Sequence, residues 1–134
     1  MKTLKILTLT AMLAATPALA LEPLNTEPHI NDSLIAGRVG DVIRKTCPSI
    51  SARMFTVLQK MNELESYARG KGYAEADVKA FLKDPVEKVR IKKAAEAYLA
   101  AAGAKEGDAE SYCAAGRSEI AKGTLAGSLL RSWK

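Results

Sequence analysis

What this sequence has little of narrows its chemistry first. It carries one histidine (His29), two cysteines (Cys47 and Cys113) and 5% aromatic residues. A single imidazole removes most metal sites and histidine-dependent triads, which need further ligands or a third partner. No glycine-rich phosphate loop follows a strand, and no haem-attachment or calcium-loop pattern occurs. Glu63 and Glu65, two residues apart, would point in different directions on a helix. With no catalytic set to assemble, the expectation is a non-catalytic protein without cofactor or metal.

Two further absences bound the architecture. A length of 134 residues leaves no room for two cores. The segments beyond the N-terminal leader are too charged to cross a bilayer, so stable membrane insertion is not expected. An apolar fraction of 48% is in turn too high for a disordered polymer.

The N-terminus reads as an address. Lys2 and Lys5 give a positive start, Ile6 to Ala15 is uncharged and mostly apolar, and Ala18-Leu19-Ala20 fits a small-x-small cleavage site. We expect a signal peptide over 1–20, an extended lead-in over 21–30 and a helical domain over 31–134. The expected location is the periplasm. Loss of Lys2 and Lys5 lowers the net charge from +5 to +3. That balance lacks the dense basic stripe of a nucleic-acid binder, so nucleic acid is not an expected partner.

Helical spacing dominates the rest. Asn31 or Asp32 would cap a first helix carrying Ile35, Val39, Val42 and Thr46, stopped at Cys47 by Pro48. Gly37 and Gly40 within it would allow another helix to approach closely. A long second helix starts from Ser49 or Ser51, with Ile50, Met54, Val57, Leu58, Met61, Leu64 and Ala68 on its stripe; it is the expected central packing element. Gly70 and Gly72 provide stops. A short third helix holds Val78 and Phe81. Asp84-Pro85 opens a fourth that runs to about Ala102, and Asp108 caps a fifth. Gly123-Thr124 introduces a last short helix with Leu125, Leu129 and Leu130. No segment alternates convincingly like a strand. The expected fold is an all-α single-domain bundle of five to six helices.

In an exported chain, Cys47 and Cys113 allow one pairing and an oxidising compartment favours it. No C-x-x-C spacing lowers a thiol pKa, and no nearby histidines suggest metal, so a structural disulfide is expected. It would draw Arg44, Lys45, Arg53 and Arg117 towards one region of surface. Two uses stand open: structural salt bridges, with Glu110 neutralising Arg44 or Arg117, or docking of an acidic partner. Lys88, Arg90, Lys92 and Lys93 on the fourth helix could touch anionic headgroups, but Glu87 and Glu96 interrupt them and a solvated face is the better account.

The blocks Ile43-Arg44-Lys45-Thr46-Cys47-Pro48-Ser49-Ile50-Ser51-Ala52-Arg53, Glu110-Ser111-Tyr112-Cys113 and Gly123-Thr124-Leu125 resemble a family of small exported α-proteobacterial proteins grouped as a domain of unknown function. The resemblance runs from about Ile30 to Arg131. It implies a helical periplasmic protein with no assigned activity. It also implies a link to gene clusters of the respiratory NADH dehydrogenase, hence an accessory role at the outer face of that complex. Docking to another protein is therefore the leading functional expectation. The alternative is a periplasmic holdase chaperone or a small apolar-ligand carrier, the latter needing a cavity among Met54, Leu58, Met61, Phe81 and Tyr98.

Overall fold

The computed structural model describes residues 20–133, so the leader read from residues 1–19 lies outside the described residues. The elements in chain order are α1 (Pro28–Thr46), β1 (Ile50–Ala52), α2 (Met54–Lys71), α3 (Glu75–Lys83), α4 (Pro85–Ala101), α5 (Ala109–Lys122), α6 (Leu125–Ser128) and β2 (Leu130–Ser132). The expectation of a helical single domain holds. The two short strands are an addition.

α1 begins earlier than its expected cap. Pro28 occupies the first turn, where its missing N–H costs nothing, and the Glu27 side chain accepts from the Ile30 N–H at 2.7 Å. The lead-in is thereby shortened, because Pro28, His29 and Ile30 are helical. Asn31, freed from capping, is buried instead. At the other end Cys47 is extended ahead of Pro48, as the proline rule requires.

The second boundary moves the other way. Ile50 keeps a helical step to Met54 but lies in β1, which pairs antiparallel with β2 in the register Ile50↔Ser132, Ser51↔Arg131 and Ala52↔Leu130. Burial decides the matter: Ile50 is 3% exposed in the core, and the Arg53 N–H then donates to the Leu129 carbonyl at 2.7 Å. The C-terminal segment shares that reason. α6 is one turn, capped by Thr124, before Leu130 leaves for the strand.

The main core gathers Val39 and Ile43 of α1, Ile50, Ala95 and Leu99 of α4, Cys113 and Ala115 of α5, Ala126 and Leu130. A smaller cluster joins Ile30, Ala68 and Tyr73. α1, not α2, is therefore the central element. α4, α5, α6 and β1 all pack on it. The last helix folds back on its own bundle, against α5 and α1.

The close approaches also fall elsewhere than expected. A Cβ on Gly37 would meet open space, and one on Gly40 would make ordinary contacts from 3.8 Å. Gly116 and Gly127 carry the real crossings. A Cβ at Gly116 would lie 2.7 Å from Ile43 Cγ2 and 2.5 Å from Ile50 Cδ1.

Candidate functional site

Cys47 and Cys113 form a disulfide with Cα atoms 5.1 Å apart. It joins the residue after α1 to the second turn of α5, beside the Ile43–Gly116 crossing. Such a bridge fits a chain that works in an oxidising compartment. The expected pairing of Cys47 with Cys113 is present.

The four expected docking cations divide into separate arrangements. Asp41, one turn above the end of α1, receives Arg44 at 2.7 Å, Lys45 at 2.7 Å and Arg38 at 3.6 Å. One carboxylate thus faces three cations. Burial would raise the Asp41 carboxyl, but the hydrogen bonds and charges of Lys45 and Arg44 hold it below the usual range. Arg117 is paired with Glu110 on its own helix. Arg53 precedes α2, is exposed and has no ion pair among the described residues. The salt-bridge account therefore fits Arg117, whereas the end of α1 keeps an excess of positive charge.

That excess adjoins an apolar surface. Met54, Phe55, Leu58 and Met61 occupy one side of α2, within about 120° of its circumference, and are 59%, 84%, 55% and 54% exposed. The inner side packs on α1 at Leu64 and Ala68, against Ile30 and Leu34, but stands open at Val57. A cleft of about 150 Å³ separates the two helices, with Gly37, Gly40, Asp41 and Arg44 on one wall and Met54 and Val57 on the other. Cations and exposed hydrophobes are thus neighbours. The stripe is legible in the sequence from its helical spacing, which does not tell a covered face from an open one.

The carrier cavity does not form as expected. Met54, Leu58 and Met61 lie on the outer part of α2, Phe81 of α3 packs against the cluster of Ile30, Ala68 and Tyr73, and the Tyr98 hydroxyl donates to Glu119 at 2.8 Å. These five residues do not enclose one space.

Three polar clusters escaped the sequence reading. Glu27, 3% exposed, accepts from the Ile30 N–H and from the Tyr67 hydroxyl at 2.6 Å, with Lys71 Nζ 3.9 Å away. Burial pushes its carboxyl up, but those bonds and the Lys71 charge outweigh it and hold the group below the usual range. The bond to Glu27 pushes the Tyr67 phenol up. His29, which falls in the expected lead-in over 21–30, stands in the first turn of α1 with its ring 4.3 Å from that of Tyr67. Asn31 accepts from Arg90 at 2.6 Å, and Arg90 also donates to Glu87 at 2.6 Å. Arg90 therefore turns inward, away from the other cations of α4. Glu119, 3% exposed, accepts from Tyr98 and from the Thr124 hydroxyl.

These buried carboxylates are engaged in bonds that tie elements together. Both Glu27 oxygens have donors, which suits a fastening better than proton transfer. Among the described residues no group of three His, Cys, Asp or Glu side chains could hold a metal ion. No described helix is long and apolar enough to cross a membrane. A family model described as a family of unknown function (DUF5333) matches residues 22–131. No curated protein and no solved structure matches the chain.

Proposed function

We propose, for a chain that belongs to the DUF5333 family of unknown function, that it is a non-catalytic periplasmic protein that docks to another protein through the outer face of α2 and the adjoining end of α1. One observation carries this reading: Phe55, 84% exposed, stands in an apolar stripe beside three cations that share a single carboxylate. Large aromatic anchors ringed by charge are what a protein interface uses, whereas a free surface gains nothing from exposing them. The charge excess selects the partner. It should offer acidic side chains around an apolar socket, since like charge would be repelled.

The disulfide and the bundle fit a rigid platform, which limits the ordering cost of binding. The outer face of a respiratory membrane complex, implied by the resemblance of the cysteine blocks, is the first place to seek that socket. A photo-crosslinking residue placed at position 55 or 58 in living cells tests the proposal, with position 76 on α3 as the control. The expected result is one heavier adduct from α2 that disappears with Arg44→Glu. Equal adducts at all three positions, or an adduct of two copies of this chain, would overturn it.

A further inference from the structure

We infer that a second surface, a groove crossing α1 at Leu34, Gly37 and Arg38, binds a single-chain amphiphile with an anionic head, of the long-chain carboxylate class. Two hollows of about 480 and 440 Å³ flank α1 there, one towards α3 and α4 and one towards α2 and α6; Leu34 and Arg38 line both. Each is of the size that takes a small ligand. Each wall has an apolar part, with Phe81 and Ile91 on one side and Met61 and Leu64 on the other. Gly37 lines the hollow towards α2 and leaves open space where any other residue would place a Cβ.

Charge settles the chemistry of the occupant. The two hollows are lined by four cations, Arg38, Lys60, Lys88 and Lys92, against two carboxylates, Glu63 and Glu87. Lys60 is taken by Glu63, Lys92 reaches Glu96 at 3.8 Å and Glu87 is taken by Arg90, so the uncompensated charge of the hollows lies on Lys88 and Arg38. Arg38, at the centre, is short of acceptors: its ion pair with Asp41 is long, at 3.6 Å, and its buried Nε has no hydrogen-bond partner among the described residues. A guanidinium between two partly apolar hollows is matched by a carboxylate, which accepts two of its N–H groups at once, on a chain that fills the space beside it. A neutral lipid would leave that guanidinium as it stands.

The groove shares Gly37, Arg38 and Met61 with the edge of the docking surface, but its test reads a different quantity. The purified protein is titrated calorimetrically with sodium dodecanoate and, separately, with dodecyl maltoside, each below its micelle concentration. The expected result is saturable one-to-one binding of dodecanoate, at least about tenfold tighter than the neutral detergent. Affinity should fall about fourfold for each methylene removed from the chain. Arg38→Met should erase the preference for the charged head while keeping the chain-length ladder. Gly37→Leu, which fills open space and leaves the fold intact by circular dichroism, should abolish binding of both.

Absence of saturable dodecanoate binding overturns the inference, as does an Arg38→Met protein that keeps the preference. If dodecanoate does not bind but Gly37→Leu weakens the crosslink from position 55, a protein segment occupies the groove and the inference also fails. Loss of the crosslink from position 55 with dodecanoate binding retained leaves this site standing and removes only the docking reading.

Discussion

Gly127 of α6 crosses directly over the Glu119 carbonyl of α5, so close that a Cβ there would overlap backbone atoms of Glu119 and Ile120. That contact seats α6 on the bundle. Both partners are buried, at a point also held by the bond from the Thr124 hydroxyl to the Glu119 side chain.

A clash with backbone cannot be relieved by a rotamer change, so Gly127→Ala should destabilise by about 2–4 kcal/mol. Gly116→Ala meets side-chain atoms and no backbone, Ile43 Cγ2 and Ile50 Cδ1, and should cost less, about 1–3 kcal/mol. Gly37→Ala, in a helix interior facing open space, should instead stabilise by about 0.5–1 kcal/mol. Urea denaturation followed at 222 nm gives all three values. The predicted order is 127, then 116, with 37 of opposite sign.

The disulfide closes a sequence separation of 66 residues, which in the chain-entropy treatment is worth about 4 kcal/mol. A stable small domain has only about 5–15 kcal/mol in total. The Cys47→Ala/Cys113→Ala double variant should therefore unfold at much lower urea than the parent. An unchanged midpoint would show that the buried Ile43, Cys47 and Ile50 region holds without the covalent link.

These glycines mark where sequence reading reached its limit. The boundaries at Pro48, Asp84-Pro85 and Asp108 were legible because each rule is local: a ring, a cap, a missing N–H. The Asp84 cap accepts from the Val86 N–H at 2.7 Å, as its place before Pro85 predicts. Gly127 and Gly116 were not legible, because their need for a bare Cα arises from a neighbour far along the chain. Ile50 failed for the same reason, since its partner is Ser132 and helical spacing to Met54 is a coincidence of four residues. α2 shows the converse. Its periodicity was right, but periodicity reports which residues share a face and not whether that face is covered. The Glu27 fastening has one local signal, Pro28 at the first helical position, which competes with the stronger cap propensity of Asn31.

Glu27 gives the fold a pH dependence. Its carboxyl is held below its ordinary value of 4.5, so the charged form is favoured in the folded state. The stability this contributes is fully present above pH 4.5 and is lost as pH falls through the lower, folded value. Glu27→Gln keeps the shape but not the charge, and should be less stable than the parent at pH 7. The difference should shrink as the medium is acidified below pH 4.5. Asp41 titrates in the same direction in both proteins, so subtracting the two unfolding curves isolates Glu27. A difference that stays constant from pH 7 to pH 3 would contradict the assignment.

Charge reversal separates the two uses of the cations near the disulfide. Arg117 meets Glu110 and faces no other acid among the described residues, so Arg117→Glu replaces one attraction by one repulsion on an exposed surface. Arg44 shares Asp41 with Arg38 and Lys45, and Arg44→Glu leaves those two pairs in place. Exposed pairs contribute about 0.2–1 kcal/mol, so both variants should keep a melting temperature near the parent's. They should differ in docking. Arg44 lines the cleft opposite Met54, so its reversal should remove the crosslink from position 55. Arg117 lies on α5, outside that cleft, and its reversal should weaken the crosslink only slightly. A variant pair in which Arg44→Glu lowers the melting temperature strongly, or Arg117→Glu weakens the crosslink more than Arg44→Glu does, would return the basic end of α1 to a structural role.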